Sequence, residues 1–190
     1  MRQPGYPIDT VFLERVSSRA FSEEPLTTEE LMILFEAARW APSSYNNQPW
    51  RFVFAKRGTQ AFNSFFDILV DFNKQWIKNA DILVLVVSKN NFEHNNKESL
   101  TAAFDTGAAW MSLAIQATLK NIIAHCIQGF DYECMKEKLQ IPNNFSIQAM
   151  IALGKPGNID KLSAQIRTQE SPSDRKPLKE IISEGVFPFT

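Results

Sequence analysis

Arg15, Ser17 and Arg19 stand two residues apart in the stretch Arg15-Val16-Ser17-Ser18-Arg19. An extended chain alternates its side chains, so this spacing puts two guanidinium forks and one hydroxyl on the same side. Such a set can clamp a phosphate, each charge-assisted contact contributing about 1.5–3 kcal/mol. The same residues would also serve as solvated surface charge. A second stretch, Ala41-Pro42-Ser43-Ser44-Tyr45-Asn46-Asn47-Gln48-Pro49-Trp50, offers hydroxyls and amides at a helix end and then an aromatic. These groups can hydrogen-bond the edge of a flat heteroaromatic, whereas a plain turn needs neither two Asn with a Gln nor flanking prolines.

Other chemistries are poorly served. His94 lies among asparagines and His125 in a predicted strand; neither has a second His or Cys at ligand spacing, so no metal site is expected. The chain has no Gly-x-Gly-x-x-Gly, no Gly-Lys-Ser/Thr loop and no Gly-x-Ser-x-Gly elbow. Ser43-Ser44 has no base placed near it. Cys126 follows His125 in a strand and so faces the other way, which argues against a Cys–His dyad. Nucleophilic catalysis by these side chains is therefore not expected.

These residues need elements to hold them, and the pattern alternates helices with short apolar strands, an α/β or α+β class. Asp9 can cap a short helix through Arg15, and 17–21 reads as extended. Thr27-Thr28-Glu29-Glu30 is a capping box opening a helix that buries Leu31, Leu34, Phe35 and Ala38 and stops before Pro42. Strands are predicted over 50–55, 81–88, 122–128 and 147–153. The run Ile82 to Val87 suits a strand buried on both faces at the sheet centre. One long amphipathic helix is predicted over 59–78 and a short one over 131–139. A helix from Ser99 to about Lys120 is apolar nearly all round and needs covering on every side.

The length of 190 residues is about one domain, and 20 basic against 21 acidic residues leave a net charge of −1. No global field favours nucleic acid or an anionic membrane. Two cysteines form no disulfide framework, and neither a signal core nor an 18-residue uncharged apolar run occurs, so a cytoplasmic protein is expected. Only 7 glycines accompany 15 Phe and 4 Trp, too few for several phosphate-binding glycine loops.

Glu14-Arg15-Val16-Ser17-Ser18-Arg19-Ala20-Phe21, followed by Ala37 to Phe52, resembles the opening of the nitroreductase family, the FMN-dependent NAD(P)H oxidoreductases. Asp105-Thr106-Gly107-Ala108-Ala109, Gln128-Gly129-Phe130-Asp131, Ala152-Leu153-Gly154-Lys155-Pro156 and Arg175-Lys176-Pro177-Leu178 come in that family's order, so the resemblance spans 1–190 as one domain. It implies an α+β, three-layer α/β/α sandwich with a mixed, mainly antiparallel central sheet, assembled as a homodimer with FMN at the subunit interface. Arg15, Ser17 and Arg19 would bind the phosphate and ribityl end, and Arg175 would close on the phosphate. Pro42, Ser43, Ser44, Asn46 and Gln48 would line the flavin from the partner subunit. Asn73 would contact its pyrimidine, and Gln128 and Gly129 would lie beside N5.

The implied activity is reduction of nitroaromatics, quinones or related acceptors, by ping-pong hydride transfer from NAD(P)H through N5. Trp40 and Tyr45 are candidates for stacking on substrate, with core packing the alternative for Trp40. The helix 99–120 would suit the dimer interface or a monomer core. Val16 replaces a residue that is often basic, Lys120-Asn121 a glycine-containing turn, and Gln128 an acid or small residue. Two other readings remain open: a flavin-binding or storage module without efficient turnover, and an offshoot with dehydrogenase or flavin-modifying activity.

Overall fold

The computed structural model describes residues 2–189. Thr27 accepts a hydrogen bond from the Glu30 amide while the Glu30 carboxylate accepts from Thr27 N, the expected capping box, and opens helix α2 (Thr28–Arg39). Ahead of it, helix α1 (Val11–Glu14) starts where Asp9 Oδ1 accepts from Val11 N at 2.9 Å. Strands β1 (Trp50–Lys56), β2 (Ile82–Lys89), β3 (Ile123–Ile127) and β4 (Phe145–Gly154) form a sheet in the order β1-β2-β4-β3. Every pairing in it is antiparallel, so the parallel component of the expected mixed sheet is not found among the described residues.

Strand β2 is central and almost wholly buried, as its apolar run predicts. Its alternate residues feed two separate cores. Leu83, Leu85 and Val87 pack with Phe62, Phe65, Trp76 and Ile77 on one face, while Ile82, Val84 and Val86 pack with Leu31, Leu34, Leu113 and Ala117 on the other. Helices α2 and α5 (Ala102–Leu119) thus cover one face. Helices α3 (Gln60–Asp67), α4 (Asp71–Ile77) and α6 (Tyr132–Lys138) cover the opposite one. This is the α/β/α sandwich, closed at its C-terminal side by the short helix α7 (Ala164–Arg167), whose Ile166 is buried.

Two expectations change. The single helix predicted over 59–78 is two helices, α3 and α4, because the chain between them leaves helical pairing to join a distant segment. Leu69 bridges to Phe130, Val70 N donates to Gly129 O at 3.0 Å, and Asp131 N donates to Ile68 O at 3.0 Å. The second concerns α5, which is not covered on every side: Leu100 just before it is 89% exposed and Phe104 within it is 80% exposed. Gly107 and Met111 continue that bare stripe at helical spacing. No described helix is long and apolar enough to cross a membrane.

Candidate functional site

The segment 15–20 runs without helix or strand pairing, and all of 15–19 line one cleft, Val16 and Ser18 included, so strict alternation does not select the lining residues. Arg15, Ser17 and Arg19 line one cleft of about 260 Å3, and Arg175 lines it from the C-terminal segment. Four residues from opposite ends of the chain therefore converge as expected. Arg15 Nη1 donates to Ser17 Oγ at 3.4 Å. Burial, then the neighbouring charges of Arg175 and Arg2, hold the Arg15 guanidinium below its ordinary pKa.

Three further lining residues were not foreseen. Arg2 staples the cleft: its Nη1 donates to Leu13 O at 2.8 Å and Arg15 O at 2.9 Å, and its Nε to Ser173 O at 3.0 Å. Glu170 ion-pairs with Arg19 at 3.2 Å. His125 forms part of the wall, with its ring centroid 4.5 Å from that of Trp76. A carbonyl only accepts, so the 3.1 Å contact between His125 Nδ1 and Ser18 O places the proton on Nδ1. Burial pushes the pKa of His125 down to about 4, helped by the charges of Arg19 and Arg15 and opposed by the Ser18 bond and Glu170. Cys126 packs on the other face of the sheet, as strand alternation requires.

Arg19 connects this cleft to the next group. Its guanidinium carbon lies 5.8 Å from the Trp76 ring centroid, and Trp76 sits one helical turn beyond Asn73 on α4. Asn73 Nδ2 donates to Gly129 O at 3.1 Å, which brings Asn73 together with the 128–129 segment. Gly129 is required there by packing within the chain: a Cβ on it would fall 2.5 Å from Asn73 Nδ2 and 2.9 Å from Val70 Cγ2. Gln128 is exposed at the end of β3.

The loop 42–48 is built elsewhere on the molecule, and none of Pro42, Ser43, Ser44, Asn46 and Gln48 lines the cleft. It is held rigidly nonetheless. The buried Asp105 of α5 accepts from Ser44 N at 3.1 Å and from Thr101 Oγ1 at 3.1 Å, and Ser43 Oγ accepts from Gln48 N at 2.9 Å. Tyr45, Asn46 and Gln48 all adopt positive φ, of 52°, 52° and 48°. Non-glycine residues rarely take that conformation, and its clustering here marks a loop shaped against local preference. Tyr45 is 83% exposed, in edge contact with Phe92 and near His94. Trp40 is 74% exposed with Arg39 stacked on its ring, so it is not a core residue.

The model of the nitroreductase family matches residues 13–68, which hold both the arginine segment and the loop. A crystal structure described as an oxidoreductase containing FMN shares 40% identity, with 100% of this chain and 97% of that chain covered and a TM-score of 0.94. The oxygen-insensitive NADPH nitroreductase of Helicobacter acinonychis is 39% identical over 80 residues, 40% of this chain and 35% of that protein. A nitroreductase family protein from Streptococcus pneumoniae, at 22% identity and TM-score 0.71 with 92% and 98% of the two chains covered, shares the fold. The chain belongs to the nitroreductase family.

Proposed function

We propose that this chain is an FMN-dependent NAD(P)H oxidoreductase that passes electrons to small oxidised acceptors such as nitroaromatics or quinones. The observation that carries the reading is the cleft in which Arg15, Ser17, Arg19 and Arg175 converge. Its residues suit a phosphate ester: Arg19 Nε is shut off from solvent with no partner among the described residues, and the charges of Arg175 and Arg2 bear on Arg15. The FMN-containing relative at 40% identity supports the same assignment.

In this reading 1–190 is one FMN-binding domain, and the arginines neutralise and orient the phosphate. Asn73, Gln128 and Gly129, linked to the cleft through α4 and β3, face the ring system. Bound FMN supplies the two-electron chemistry, which accounts for the lack of a nucleophile or base in the sequence.

We assign Pro42, Ser43, Ser44, Asn46 and Gln48 to the flavin of a second copy, in a homodimer formed over the bare stripe of α5. That loop is hydrogen-bonded to Asp105, largely exposed and away from its own cleft, and the stripe is apolar and exposed among the described residues. The two free cysteines fit a cytoplasmic setting. The test is the visible spectrum of the purified protein: a flavin spectrum bleached by NADH or NADPH and restored by a quinone is expected. A colourless protein that binds no added FMN would overturn the reading.

A further inference from the structure

Glu170 is the single acid lining a cleft otherwise charged by Arg2, Arg15, Arg19 and Arg175. An acid there repels the anion the cleft is built for, so its presence needs a reason. Its side chain is only 4% exposed, and its carboxylate is saturated by the 17–20 segment. Oε2 accepts from Ser18 Oγ at 2.6 Å and from Arg19 N at 3.0 Å, while Oε1 accepts from Arg19 N at 3.2 Å and Arg19 Nη1 at 3.2 Å. The Ser18 hydroxyl in turn accepts from Ala20 N at 3.1 Å, which fixes the backbone on both sides of Arg19.

We propose that Glu170 is a positioning residue for phosphate recognition. Its charge orients the Arg19 fork and locks the extended segment to the start of the C-terminal arm that carries Arg175. The inference rests on the reading of the cleft as an FMN phosphate site. By taking Nη1, which also lies 3.4 Å from Gln169 O, and the backbone amide of Arg19, the carboxylate leaves Nη2 and the buried Nε without partners among the described residues. Five residues further on, Arg175 reaches the same cleft, so one carboxylate sets the registry of two of its four arginines. A glutamine at 170 is nearly isosteric but has one acceptor oxygen where the carboxylate has two. Its amide NH2 would then face a donor of Arg19, and the fork would turn away.

The full chain, freed of bound flavin by dialysis, is titrated with FMN and separately with riboflavin, which lacks the phosphate. Glu170→Gln is expected to weaken FMN binding about tenfold or more, with riboflavin changed less than about twofold, so that discrimination between the two collapses. Glu170→Asp keeps the charge and is expected to recover part of that discrimination. It also supplies the measurement if the glutamine variant does not fold. Equal weakening of both flavins in either variant would make Glu170 merely structural, and tighter FMN binding by Glu170→Gln would make it merely repulsive. Either result overturns the proposal while wild-type discrimination stands. A wild type that binds riboflavin as tightly as FMN would overturn the phosphate site itself.

Discussion

Arg15 and Arg19 flank the same cleft, yet their removal should have different consequences for the empty protein. Arg15 makes one long side-chain bond, to Ser17 at 3.4 Å, and its charge is opposed by Arg175 and Arg2 rather than balanced by an acid. Arg15→Ala therefore strands no partner and relieves like-charge repulsion. Its unfolding free energy should stay within about 0.5 kcal/mol of wild type. Arg19→Ala leaves the Glu170 carboxylate without its ion pair, in a site where the two side chains are 18% and 4% exposed. The remaining bonds from Ser18 Oγ and Arg19 N soften that loss, so about 1–3 kcal/mol is expected. For a chain of this size that lowers Tm by about 2–4 °C per kcal/mol. Each variant loses a charge-assisted contact to phosphate of about 1.5–3 kcal/mol, roughly ten- to hundredfold in affinity. Quenching of FMN fluorescence measures the binding, and thermal unfolding of the flavin-free protein measures the stability. Equal loss of stability in the two variants, or FMN affinity retained in either, would refute the reasoning.

Three further outcomes follow from particular contacts. Gly129→Ala puts a methyl within 2.5 Å of Asn73 Nδ2 and should cost about 1–3 kcal/mol by overpacking; adding Asn73→Ala should restore part of it in chemical denaturation. His125 has its pKa depressed to about 4 in the folded state, so its neutral form contributes stability above its unfolded pKa of 6.5, lost as the pH falls from there towards 4. The gap is worth up to about 3 kcal/mol, and His125→Gln should flatten the decline of stability between pH 6.5 and 5, where a slope equal to wild type would contradict the assignment. Phe104→Glu places a charge in the centre of the bare α5 stripe and should convert a dimer to monomers in light scattering, with flavin lost alongside; a variant that stays dimeric would exclude that face.

What local rules govern was legible in advance. The capping box of Thr27 and Glu30 and the doubly buried run of β2 depend on neighbours within a few residues, and both stand as expected. That Arg15, Ser17 and Arg19 share one cleft was readable for the same reason, since they lie within five residues of one extended stretch. The break between α3 and α4 was not readable. Ile68, Leu69 and Val70 continue an apolar pattern, and what ends the helix is pairing with Gly129, Phe130 and Asp131 some sixty residues away. Glu170 was hidden in the same manner. Nothing near it in sequence marks it, and its role exists only because the fold brings it against Ser18 and Arg19.

The separation of the loop 42–48 from the cleft carries the strongest statement about assembly. Both lie within residues 13–68, the stretch matched by the family model, and the family resemblance implied that the loop lines the flavin of the partner subunit. The structure ties the loop to Asp105 of α5, while the cleft is walled by His125, whose ring packs on Trp76. Arg15 caps α1, which itself packs on α5, yet none of Pro42, Ser43, Ser44, Asn46 and Gln48 lines the cleft. In the proposed function, that separation is what assigns the loop to the flavin of a second copy. Asp105, buried in the helix that bears the exposed Phe104, would under that proposal tie the loop to the face on which the second copy docks.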